Sequence, residues 1–200
     1  MVWLLLMAWA AEPEAPESSE EEGPTAEPTS DDDVPAAAEE DAPSEEDAEA
    51  RARAAEARRL RQEVIQAAKA GRHEAVDRTY RTLIAMDEPV PSDVHLMGAD
   101  AARSRGDVLH ALARLQRAGS TEQLTDLQDR YGAVRLSVPV GATLSDGGHF
   151  APDEIAAVQW TRDALAADGR YVGLLPAGTY TVAGREVVVP AGDLVAVVVD

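Results

Sequence analysis

Residues 120–140, STEQLTDLQDRYGAVRLSVPV, contain the change of period that decides the fold. Up to Arg130 the apolar residues recur at helical spacing, Leu124 and Leu127 leading to Tyr131, behind a Ser120/Gln123 capping pair. From Gly132 they alternate. Val134, Leu136, Val138 and Val140 fall on one side, Arg135 and Ser137 on the other, and Pro139 marks the strand as an edge or its end. The predicted class is therefore α+β: a disordered acidic N-terminal segment, antiparallel helical hairpins, then a small antiparallel β-sandwich with an inserted helix.

Reading backwards from Ser120, four more helices can be placed before the one that Gly132 closes. The first begins near Ala48, carries Ala57, Leu60, Val64 and Ala67 or Ala68 on one face, and stops at Gly71. The second presents Val76, Tyr80, Leu83 and Ile84 and ends at Pro89 and Pro91. Ser92 or Asp93 can cap a third, with Val94, Met97 and Ala101 facing inward and Gly106 as its stop. Asp107 can cap a fourth, with Val108, Ala111, Leu112 and Leu115 as its stripe and Gly119 at its end. Five helices within residues 48–131 imply tight antiparallel hairpins.

The stretch Gly71-Arg72-His73-Glu74-Ala75-Val76-Asp77-Arg78-Thr79-Tyr80-Arg81-Thr82-Leu83 resembles the turn and second helix of a tetratricopeptide repeat. Gly106-Asp107 with Ala111, Leu115 and Ala118 resembles the same part of a second unit, at a spacing close to that family's period of about 34 residues. The chain departs from the family in having no Trp in the first helix of either unit, Val76 where Ala is usual, an irregular connection at residues 87–91, and two units only. The resemblance implies protein or peptide binding on a concave groove, with Tyr80, Val94 and Met97 as open inner-face residues. A generic helical hairpin that serves as a core for its neighbour is the alternative, and would bury them.

Reading forwards, strands are expected over residues 171–175, 179–182, 185–189 and 194–199, joined by Pro-Ala-Gly, Ala-Gly and Pro-Ala-Gly-Asp turns as an antiparallel meander. Gly132-Ala133-Val134-Arg135-Leu136-Ser137-Val138-Pro139-Val140-Gly141-Ala142 and Leu175-Pro176-Ala177-Gly178-Thr179-Tyr180-Thr181-Val182 are similar to the opening strand and a later turn of PEGA and related transthyretin-like or carboxypeptidase-regulatory-like modules. That likeness implies an extracytoplasmic spacer or ligand-binding unit without catalysis over residues 132–200. A helix at about residues 152–167 is an insertion that a minimal module lacks. Trp160 in it and Phe150 just before it are either exposed partner anchors or core residues.

Upstream, residues 12–49 hold 17 of the 37 acidic residues and no Lys or Arg, so the remainder of this −19 chain is close to neutral. Residues 12–47 contain one larger apolar residue, Val34, too little apolar area to offset backbone entropy; they are expected to be disordered and self-repelling. A tether is the simpler role, and a tail for cations or a basic partner the alternative. Residues 1–11 open with the apolar run Val-Trp-Leu-Leu-Leu-Met-Ala-Trp-Ala-Ala, in which Ala8-Trp9-Ala10 has the form of a signal-peptidase site. The run is short and lacks a preceding basic residue, which leaves open a start upstream of Met1. A short apolar segment of no targeting value is the alternative. Export to the periplasm or cell envelope, or secretion, is expected, with membrane contact only through the transient signal.

The sequence supplies little for chemistry. There is no cysteine, and His73, His95, His110 and His149 form no metal-ligand spacing, so no metal or cofactor is expected. No nucleophile elbow or phosphate-binding glycine motif occurs. The nearly neutral body has no basic stripe for nucleic acid. The frequency of Ala, Arg, Gly and Val, with Lys69 the single lysine, suggests a GC-rich bacterial genome. The expectation is a non-enzymatic bacterial envelope module for protein–protein interaction or scaffolding, with Tyr80, Val94, Met97 and Trp160 as candidate contact residues. The alternatives are a purely structural envelope component, and a hydrolase with a site between Asp146 and His149. Partner identity and oligomeric state are not encoded in any motif.

Overall fold

The computed structural model describes residues 44–146 and 148–198; the signal-like run at 1–11 and the acidic segment through residue 43 lie outside the described residues. Helix α1 (Glu45–Lys69) begins three residues before the expected start. Ser44 is the reason. Its Oγ accepts the Asp47 N–H at 3.2 Å, and Glu45, Glu46 and Asp47 place negative charge at the positive end of the helix dipole, so acidic residues that read as spacer start the helix.

Helices α2 (His73–Ile84), α3 (Ser92–Ser104), α4 (Val108–Ala118) and α5 (Thr121–Arg130) follow. Ala57, Leu60, Val64 and Ala67 of α1 meet Val76, Tyr80 and Leu83 of α2 and Val94 and Ala101 of α3 in one apolar cluster. The turns that separate α1 from α2 and α3 from α4 are copies of each other. Gly71 N–H donates to the Ala68 carbonyl and Arg72 N–H to that of Ala67; 35 residues later Gly106 donates to Arg103 and Asp107 to Ala102, with bonds of 2.9 and 3.0 Å in both turns. Both glycines have positive φ, 64° and 86°. At the fifth helix the capping pair takes another form, Ser120 Oγ donating to Gln123 Oε1 rather than receiving a backbone N–H.

Helix α5 passes without a loop into strand β1 (Tyr131–Ser137), after which come β2 (Leu144–Asp146), α6 (Pro152–Asp168), β3 (Arg170–Pro176), β4 (Gly178–Val182), β5 (Arg185–Val189) and β6 (Leu194–Val198). The strands form two three-stranded sheets, β3-β1-β6 and β2-β4-β5. The expected meander is replaced by this division. Only Ala177 separates β3 from β4, too little for a two-residue hairpin, so the chain bends from one sheet into the other. Strand β6 likewise leaves β5 and lies parallel to β1, from Ala133↔Leu194 to Ser137↔Val198, whereas β1–β3, β2–β4 and β4–β5 are antiparallel.

Residues from both sheets, among them Val134, Leu136, Leu144, Leu175, Tyr180 and Val187, share one apolar cluster with Val158 and Leu165 of α6. The same helix also meets α3. Gly106 lies so close to it that an added Cβ would come within 2.1 Å of the Ala156 carbonyl oxygen. The segment read as an insertion is thus one of the links between the helical and β parts of Glu49–Asp200, beside the packing of α4 on β3 and the direct run of α5 into β1; these residues make one unit by their contacts.

Candidate functional site

The four residues expected to contact a partner are differently placed. Tyr80 and Val94 are core residues, 2% and 1% exposed, and Met97 packs against the same cluster. The inner face of the first three helices is a core where a groove was one of two expectations, because α1 lays Leu60 and Val64 over it. Trp160 is half-buried against the β cluster, with the Arg105 guanidinium 5.7 Å from its ring centre.

Phe150 is 92% exposed, more than Val140, Val172 or Val188, which are also open to solvent, with Ile155 at 51% one helical turn into α6. Its neighbour His149 is held firmly. The His149 side chain is 11% exposed, its ring stacks on Tyr180 with centroids 5.6 Å apart, and its Nε2 lies 2.9 Å from the Tyr180 hydroxyl. Tyr180 donates its single hydroxyl proton to the Pro176 carbonyl at 2.7 Å, so His149 Nε2 must be the donor to Tyr180. Nδ1 faces Glu154 Oε2 at 3.5 Å. Glu154 comes from the first turn of α6, and the side chain of Asp146 lies outside the described residues. Asp146 is placed by the β2 backbone opposite Tyr180.

Glu154 belongs to a larger knot. Arg130, at the end of α5, donates to both Asp153 oxygens at 3.1 Å and to Glu154 at 2.9 Å, and Tyr131 donates to Asp153 at 3.3 Å. Burial pushes the Asp153 carboxyl up, but the Arg130 hydrogen bond and charge, with Arg103 beyond, hold it below the ordinary carboxylate value. The Tyr131 hydroxyl is pushed well above the phenol range by burial and by the Asp153 charge. Together these contacts fix the loop that carries Phe150. Among the described residues the hydrogen-bond and ion-pair partners of His149 are Tyr180 and Glu154.

A second polar cluster gave no sequence motif. Asp77 on α2 is 3% exposed at its side chain, and Arg114 on α4, 4% exposed, donates to its Oδ1 at 2.6 Å and to the Gly98 carbonyl at 2.7 Å. Arg105 donates to the other oxygen, Oδ2, which Arg81 approaches at 3.0 Å. Burial opposes ionisation of Asp77, yet the Arg114 hydrogen bond and charge, followed by Arg81 and Arg105, hold it below the ordinary value. The available signal was faint: Asp77 and Arg114 each lie one position from an apolar stripe residue, Val76 and Leu115.

No three-residue group of His, Asp or Glu among the described residues is arranged to hold a metal ion, and no helix among them is long and apolar enough to cross a membrane. No family model matches the chain, and comparison with curated proteins and with solved structures gives no match for it either.

Proposed function

We propose that the chain is a non-enzymatic scaffolding module of the bacterial cell envelope, exported through residues 1–11, whose contact with a protein partner is made by Phe150 and Ile155 and not through a helical groove. The observation that carries this reading is Phe150, almost wholly exposed beside a histidine fixed by Tyr180 and Glu154. An apolar side chain on a preorganised loop loses little further entropy on docking, which is what a binding anchor requires. The repeated turns at Gly71 and Gly106 support the tetratricopeptide-like reading of α1–α4. The cluster shared by the two sheets supports a PEGA-like sandwich for residues 132–200.

A purely structural component is the second reading, favoured by the burial of Tyr80 and Val94. Photocrosslinking in the native host separates the two. A crosslinker at position 150 is expected to give a discrete protein adduct that one at position 97 does not. No adduct at 150 would favour the purely structural role. Fractionation with N-terminal sequencing tests export: a terminus near Ala11 in the envelope fraction is expected, and an intact Met1 in the cytosol would overturn it.

A further inference from the structure

Helices α2 and α4 enclose a surface pocket of about 280 Å³, near the lower end of small-molecule sites at roughly 300–1,000 Å³. Arg81, Arg114 and Arg117 line it, with Tyr80 as a further wall and Ile84 and Ala113 as its apolar side; His110 stands at the edge. The charge in and behind the pocket does not balance. Four arginines, the three that line it and Arg105, stand against two aspartates, Asp77 and Asp107. Asp77 is engaged by Arg114, Arg105 and Arg81, and Asp107 is engaged by His110 Nδ1 at 2.8 Å, with Arg81 at 3.8 Å.

Arg117 is the cation left over. Among the described residues no carboxylate lies within ion-pair reach of it, and it lines the pocket beside Tyr80. Behind it the Tyr80 hydroxyl lies 2.8 Å from His95 Nδ1, within hydrogen-bond distance. Burial, helped by the Arg117 charge, keeps His95 below the ordinary imidazole value. Burial also holds the Tyr80 hydroxyl above the ordinary phenol value, so Tyr80 and His95 add no negative charge to offset the arginines.

From this geometry we propose that the α2–α4 pocket binds a compact organic oxyanion, a carboxylate or phosphate monoester on a short apolar body. The anionic head meets Arg117 and Arg81, and the body lies on Ile84 and Ala113. The volume exceeds what a bare inorganic anion fills, and the apolar wall gives such an anion nothing. The site lies on α2 and α4 and does not depend on the partner contact at Phe150.

The test is a titration of the full chain followed by NMR at the arginine Nε–H groups, with hexanoate, monobutyl phosphate, inorganic phosphate and hexanamide as probes. Saturable shifts at Arg81, Arg114 and Arg117 are expected with hexanoate or monobutyl phosphate, and whichever saturates first identifies the head group. Inorganic phosphate should bind at least about ten-fold more weakly, and hexanamide should not saturate. Arg117→Gln, at an exposed position, should weaken binding by about ten-fold or more, the scale of one charge-assisted hydrogen bond, while its circular dichroism stays unchanged. Arg53→Gln on α1 should bind as the parent chain does. Absence of saturable shifts, equal binding of inorganic phosphate or hexanamide, or undiminished binding by Arg117→Gln would each overturn the proposal.

Discussion

Asp77 and Arg114 are nearly inaccessible and bear opposite charges, so neither can be neutralised alone without leaving its partner in a low-dielectric interior. Asp77→Asn is expected to lower stability by about 3–5 kcal/mol, read as a shift in the urea midpoint at constant slope. The double variant Asp77→Leu with Arg114→Met should recover much of that loss. His95 carries a pH dependence of fixed sign. Its folded value lies below the ordinary 6.5, so between the two values the unfolded chain takes up a proton that the folded chain refuses. Stability from this site is present above pH 6.5 and lost as pH falls through the folded value. Melting temperatures between pH 7.5 and 5 should therefore fall less steeply in His95→Gln than in the parent. Neither residue stood out in the sequence, because a buried ion pair separated by 37 positions leaves no local pattern, and a lone histidine on a helix reads as surface as easily as core.

At the scale of elements, the turns at Gly71 and Gly106 have the same hydrogen bonds but different surroundings. Nothing lies within 4 Å of a Cβ added at Gly71, whereas at Gly106 the Ala156 carbonyl does. Gly71→Ala should cost only the left-handed backbone term, about 1–2 kcal/mol. Gly106→Ala should cost a further ~1–3 kcal/mol from overpacking against α6, and thermal melts of the two variants compare them directly. The helices were legible because their apolar stripes and glycine stops are local signals: Ala57, Leu60 and Val64 on α1 and Val76, Tyr80 and Leu83 on α2 are buried as their spacing predicts. The sheet order was not. Short alternating segments such as 171–176 and 178–182 state which face is apolar, but not which neighbour each strand joins, and a one-residue connection reads from sequence as an ordinary turn. Phe150 shows the same limit from the other side, since a single aromatic before a helix carries no signal of whether it is covered.

Within Glu49–Asp200, α6 packs closely on the helical part at Gly106 and joins the β cluster through Val158 and Leu165. Hydrogen exchange should therefore report a common opening energy for amides of α2–α4 and of β1, β3 and β4. Leu165→Ala, at a wholly buried position, should lower both groups together by about 2–5 kcal/mol; a loss confined to the strands would show that the helical part opens separately. The place of β6 also bears on the order in which the protein can be made. Strand β1 takes β3 as one neighbour soon after synthesis, but its other edge pairs with Leu194–Val198, which leaves the ribosome much later. Until then β1 offers a row of unpaired backbone groups to any passing strand. Slow elongation or premature termination between residues 176 and 194 should thus leave a nascent chain prone to self-association, a hazard that belongs to biosynthesis and leaves no trace in the finished fold.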